Sequence, residues 1–140
     1  MLVCTAELLA QLNNDQIDAL VELMLLAASA DGELSIEEID QLQKCLLEVD
    51  ELWMTHIDLE RRLREAHNRI SGNERAQRLT TVKSTLSAAN FRKAGLELAI
   101  RVMASDGIVR TSERELILET AEALDIDREV AADMVKAIAG

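Results

Sequence analysis

The sequence contains no proline and no tyrosine, one tryptophan, one phenylalanine and five glycines among 140 residues. Sheets draw on aromatic and β-branched side chains, and their hairpins on Gly and Pro, so this scarcity excludes a large β-sheet. Cysteine is scarce too. Cys4 and Cys45 are the only two, too few for a disulfide framework, and they read as reduced thiols. Long hydrophobic runs are missing. The longest, Leu23 to Ala28, has six residues, against the roughly 20 that a membrane span requires. No secretory signal is read at the start of the chain. A cytoplasmic location is therefore expected, with membrane association no more than peripheral.

What remains is half apolar. The hydrophobic fraction is 49% and the charged fraction 29%, a balance that excludes wholesale disorder and suits one domain with a sizeable core. The frequent Ala, Leu, Glu, Asp and Arg favour an all-α chain. The net charge of −11 excludes general nucleic-acid binding, which needs a positive surface. That charge is unevenly placed. Residues 1–54 hold twelve acidic side chains and one basic, residues 55–95 nine basic and four acidic, and residues 96–140 ten acidic and five basic. A basic middle lies between two acidic ends. Asp58 and Arg62, Glu60 and Arg64, and Glu74 and Arg78 stand four apart, the spacing of helix-surface ion pairs. The alternative is that the basic middle docks onto the acidic ends, within one molecule or across a dimer.

Capping residues set the expected helix starts. A short helix follows Thr5. Asn13, with Gln16 three residues on, opens a helix apolar nearly all round, the pattern of a central buried element. Ser35 and Glu38 form another capping box ahead of Ile39, Leu42, Leu46 and Val49. Further helices are expected over about 55–70 and 73–86, then one capped by Asn90 and holding Leu96, Ala99, Ile100 and Met103. One carrying Leu116, Ile117, Thr120 and Leu124 follows, and the last starts near Asp127. The expectation is a single all-α domain over 1–140, a bundle of seven to eight helices with short connections.

Two stops in this series are copies of one pattern. An offset of 75 residues lays Leu23 on Leu98, Ala30 on Ser105, Asp31 on Asp106, Gly32 on Gly107, Leu34 on Val109, Glu38 on Glu113 and Leu42 on Ile117. The shared string is small-Asp-Gly-x-aliphatic-x-x-x-Glu-x-x-x-aliphatic, set between an apolar helix and an amphipathic one. It suggests a pseudo-twofold bundle with repeat units over about 15–50 and 90–126 and a basic helical insert over about 55–86.

Ala30-Asp31-Gly32-Glu33-Leu34-Ser35 with Glu38, and Ser105-Asp106-Gly107-Ile108-Val109 with Glu113, resemble the paired motifs of the TerB-like tellurite-resistance family. They also resemble the N-terminal TerB-like region of a membrane-anchored DnaJ-like co-chaperone. The resemblance covers about residues 15–138. It implies an all-α bundle, a link to stress response, and divalent-metal binding by Asp31, Glu38, Asp106 and Glu113. Arg110 departs from the pattern, standing where the first copy has Ser35.

The residues themselves allow a plainer role. Glycine ends helices, Ser35 and Glu38 cap each other, and Asp31 and Asp106 favour the positive ends of the helices that follow. The alternative is a hard-cation site shared between the two copies, with oxygen ligands suited to Ca²⁺, Mg²⁺ or Mn²⁺. It is not an EF-hand, since twelve-residue loops from Asp31 or Asp106 end at Leu42 and Ile117, where a bidentate Glu is required. His56 and His67 share a helix but lie about 16 Å apart by its rise, too far to share a metal. Phosphate loop, nucleophile elbow and His-Glu-x-x-His are all missing, so no enzyme is expected. Two functions follow: a metal-linked module of cytoplasmic stress response, or a metal-free interaction scaffold that meets a protein partner or a second copy through its acidic surfaces and basic middle helices.

Overall fold

The computed structural model describes residues 3–29, 33–49, 53–104 and 109–139. Over these the chain is an all-α bundle of eight helices, with no strand among the described residues. They are α1 (Ala6–Ala10), α2 (Asn14–Ala28), α3 (Ile36–Val49), α4 (His56–Ser71), α5 (Arg75–Thr85), α6 (Ala89–Met103), α7 (Thr111–Ala123) and α8 (Arg128–Ala139).

The helix starts follow the capping chemistry. Thr5 Oγ1 accepts the Leu8 N–H, and Asn13 and Gln16 cap each other reciprocally. Thr55 Oγ1 accepts from Asp58, and Asp127 Oδ1 accepts the Glu129 N–H ahead of α8. Each bond satisfies a backbone donor that the helix leaves free. Asn90 is the exception. It lies inside α6, whose N-cap Ala88 offers no side-chain acceptor. What fixes this junction is Arg92, whose guanidinium donates to the carbonyls of Leu86 and Ser87 at the end of α5. A cation there satisfies free carbonyls and complements the helix dipole. The expected start at Asn73 also moves: α5 begins at Arg75, with Glu74 in the N-cap position.

α2 and α6 form the centre, packed chiefly on each other. Leu20, Leu23, Met24, Leu25 and Leu26 of α2 are buried, as are Leu96, Leu98, Ala99, Ile100 and Val102 of α6. Gly95 lets the two axes approach. A Cβ there would lie 2.7 Å from Leu23 Cδ2 and 3.0 Å from Leu23 Cγ. α4 and α5 cover one side of α2, α3 rests on α6, α7 rests on α2, and α8 closes against α6 and α7. The buried side chains form one hydrophobic cluster from Cys4 to Val135. α3 on α6 and α7 on α2 is the crossed pairing that a twofold would give. α7 also packs on α5 and α8, so the two halves have different neighbours. The Asp-Gly turns that define the repeat lie outside the described residues.

Among the described residues, no helix is long and apolar enough to cross a membrane.

Candidate functional site

The two motif glutamates stand at the starts of α3 and α7. Glu38 Oε1 accepts the Ser35 N–H at 2.9 Å, and Ser35 Oγ accepts the Glu38 N–H at 3.1 Å. This is the reciprocal box expected of Ser35 and Glu38. Leu34 and Val109 both pack against the core. In the second copy Glu113 Oε1 accepts the Arg110 N–H at 3.1 Å and lies 3.4 Å from the Arg110 guanidinium. The return bond is lost, because a guanidinium donates and never accepts. In both copies one carboxylate oxygen is committed to the cap. The other, Oε2, accepts no hydrogen bond from a described residue.

Asp31 and Asp106, the other two expected ligands, lie outside the described residues, as do Gly32 and Gly107. Among the described residues no three His, Cys, Asp or Glu side chains gather as a metal would need. The histidines are engaged apart from each other. His56 bonds Gln43 and, at 2.7 Å, Glu60. His67 lies 3.3 Å from Ser71 Oγ and 3.7 Å from Glu33.

The basic middle docks inward, onto the acidic first third of the chain. Arg62 reaches Asp18 at 2.5 Å. Arg69 Nε lies 2.6 Å from Glu22, and Arg78 holds both oxygens of the same carboxylate at 2.7 and 2.8 Å. Lys83 pairs with Asp125 at 2.6 Å. Of the three expected i,i+4 pairs only Asp58–Arg62 forms, at 3.5 Å. Glu60 turns to His56 instead, and Arg78 leaves Glu74 for Glu22. Burial decides between them. An exposed pair gains little, whereas Glu22 is 1% exposed, and a carboxylate taken out of water must be paired. The bond to Glu22 in turn pushes the Arg78 pKa up.

A second carboxylate is buried at the same offset of 75 residues. Glu97 of α6 is 2% exposed. Its Oε2 accepts the N–H groups of Val3 at 2.7 Å and Cys4 at 2.9 Å, which straps the N-terminal segment to the middle of α6. Oε1 is buried without a hydrogen-bond partner among the described residues. Both cysteines are free and buried. Burial, helped by the Glu97 charge, pushes the Cys4 thiol up to about 12. Burial also raises Cys45. Both thiols are taken out of water, which disfavours the reactive thiolate form.

Sequence reasoning passed over Glu22 and Glu97. The signal was there: each is a lone carboxylate within an apolar stretch, in Leu20-Val21-Glu22-Leu23-Met24 and Leu96-Glu97-Leu98. A charge on the buried face of a helix requires a partner.

Comparison with known families agrees with the resemblance carried by the motifs. Neither curated proteins nor solved structures yield a match. The family described as tellurite resistance protein TerB matches residues 16–136, which include both Asp-Gly motifs and all of α3 to α7. The chain belongs to the TerB family.

Proposed function

We propose that the chain is a non-enzymatic, cation-binding module of the TerB type. In this reading Asp31 with Glu38, and Asp106 with Glu113, bind a hard divalent cation (Ca²⁺, Mg²⁺ or Mn²⁺) in a cytoplasmic stress response of the tellurite-resistance kind. One observation carries it. Both motif glutamates are fixed by a cap through Oε1, and neither Oε2 accepts a hydrogen bond from a described residue, three residues into a helix whose dipole already favours negative charge. Each carboxylate is thus held in place by one atom and offered by the other. Carboxylate oxygens suit hard cations, and backbone carbonyls and water supply the rest of the six to eight donors that Ca²⁺ takes.

The absence of catalysis is part of the proposal. The histidines bond to carboxylates, Gln43 and Ser71, Thr80, Thr81 and Thr85 donate to backbone carbonyls four residues back, and the thiols are buried. Ser71, whose hydroxyl lies 3.3 Å from His67 Nε2, is exposed at the end of α4.

A thermal melt of chelator-stripped protein tests this. An ion at about 100 times its dissociation constant adds about 2.7 kcal/mol, a rise of several degrees. The rise should appear with one hard cation and vanish in Asp31→Ala or Asp106→Ala. No rise with any ion reduces the motifs to helix caps and favours the metal-free scaffold, since capping alone accounts for the bonds at Glu38 and Glu113.

A further inference from the structure

The charged grooves are satisfied from within the chain. Between α2 and the α4–α5 pair, Asp18 meets Arg62, and Glu22 meets Arg69 and Arg78. Between α3 and α4, Glu33 lies near His67 and Glu60 near His56. The reactive groups that remain are the two thiols.

Cys4 and Cys45 are far apart in sequence, yet the fold brings both to one stretch of α6. Cys4 is held there by its backbone. Its N–H and that of Val3 donate to Glu97 Oε2, at 2.9 and 2.7 Å. Cys45 is held there by its helix. It is buried with Leu42 and Leu46 in α3, which rests on α6. Glu48, one turn beyond Cys45, pairs with Arg101 at 3.3 Å. Glu97 and Arg101 are themselves one turn apart, on one face of α6. The electrostatics agree with this placement. Burial raises both thiols most, Arg101 lowers both, and Cys45 adds to the rise at Cys4. Such effects die away with distance, so thiols that share one guanidinium and act on each other are neighbours.

The two thiols differ in how they are held. Cys45 lies inside a helix, whereas Cys4 lies ahead of α1, on a segment tied to α6 by two bonds to a single carboxylate oxygen. A chain end tied so lightly opens at far lower cost than the core does. Opening returns Cys4 to water, where its thiolate forms. Reclosing returns it to the side of Cys45.

We propose that Cys4 and Cys45 form a reversible disulfide, a latch that a hydroperoxide closes between the N-terminal strap and α3. With the strap open, the Cys4 thiolate attacks the O–O bond of the peroxide. The sulfur is oxidised to the sulfenic acid, and the reduced peroxide leaves as water or an alcohol. With the strap closed, the Cys45 sulfur displaces the sulfenic hydroxyl, which takes the Cys45 proton and leaves as water. Two thiols and one hydrogen peroxide thus give one disulfide and two waters, and a reducing thiol reverses the latch. The bond closes a loop that contains α1, α2 and the first Asp-Gly motif. The proposal is independent of cation binding and uses none of Asp31, Glu38, Asp106 or Glu113.

The test exposes the full chain to hydrogen peroxide at neutral pH, in chelator, then alkylates it in denaturant and weighs it. The expected product is a monomer lighter by two hydrogen atoms, with no thiol left to alkylate and with the segments around Cys4 and Cys45 joined after proteolysis. Dithiothreitol should restore both thiols. The oxidised monomer should melt several degrees higher, because the cross-link restrains the unfolded chain. Cys45→Ser should stop at a Cys4 sulfenic acid that dimedone traps. Glu97→Gln replaces the charged acceptor of the strap with a weaker neutral one. It should speed oxidation severalfold, with circular dichroism to check that it folds. Thiols that gain oxygen without joining, cross-linked dimers in place of the monomer, or an oxidised monomer that melts no higher than the reduced one would each overturn the proposal. A folded Glu97→Gln protein that oxidises no faster than the parent would overturn it too, since the strap would then not be the gate.

Discussion

Glu22 is where a single side chain matters most to stability. Its carboxylate is 1% exposed and receives three bonds, one from Arg69 and two from Arg78. Removing it leaves two partly buried guanidinium groups facing each other, so Glu22→Ala should cost about 3 kcal/mol. A urea titration reads this as a lower midpoint. Arg69→Ala should cost less than half as much, because Arg78 still engages both oxygens. Equal losses would mean that the three charges act as one unit. The chemistry of these residues was only half legible in the sequence. An excess of basic residues over 55–95 and acidic ones before it announced an attraction. Which carboxylate met which arginine depended on burial, and the local i,i+4 pairs at Glu60 and Glu74 lost to it.

At the scale of the helix, the elements that declared themselves were those with polar caps. Thr5, Asn13 with Gln16, Ser35 with Glu38, and Thr55 sit at helix starts because each bond they make is local, between neighbours in sequence. Where the junction is fixed by a distant or unusual group, the sequence misled. Ala88 starts α6 without a cap bond, and Arg92 holds the turn from the far side. The candidate site divides the same way. The roles of Glu38 and Glu113 as N3 partners follow from spacing alone. The pairing of Glu22 with Arg69 and Arg78 does not, because the two arginines come from two other helices. At Gly95 of α6 there is no room for a side chain beside α2. An alanine is the better helix former by up to about 1 kcal/mol, but its Cβ would press on Leu23, which is fully buried and has no room to turn away. Gly95→Ala should therefore destabilise by about 1–3 kcal/mol, visible as a lower thermal midpoint. A rise would show that α2 and α6 slide apart cheaply.

The whole molecule carries −11, and its internal ion pairs use up most of the basic middle. The surface is left with an acidic surplus that repels itself and opposes the compact state. Salt screens exposed charges more than buried ones. Adding sodium chloride to a low-salt solution should therefore raise the melting temperature, by weakening the surface repulsion more than the ties at Glu22. A fall would mean that the ion pairs outweigh the repulsion.

The pairing of α2 with α6 also sets an order of events during synthesis. α2 ends at residue 28, and α6, its chief partner, ends at 103. At roughly 5–20 residues per second, α2 waits on the order of 4–15 s for α6. Until α4 and α5 follow, its leucines and the Glu22 carboxylate share a helix with nothing to bury the one or neutralise the other. Arg69 and Arg78 emerge before α6 does, so the charge on α2 finds its partners before the apolar face finds its own. The nascent chain is most exposed to chaperones and to aggregation in that interval. The strap of Val3 and Cys4 onto Glu97 means that these two residues are seated only once α6 has been made.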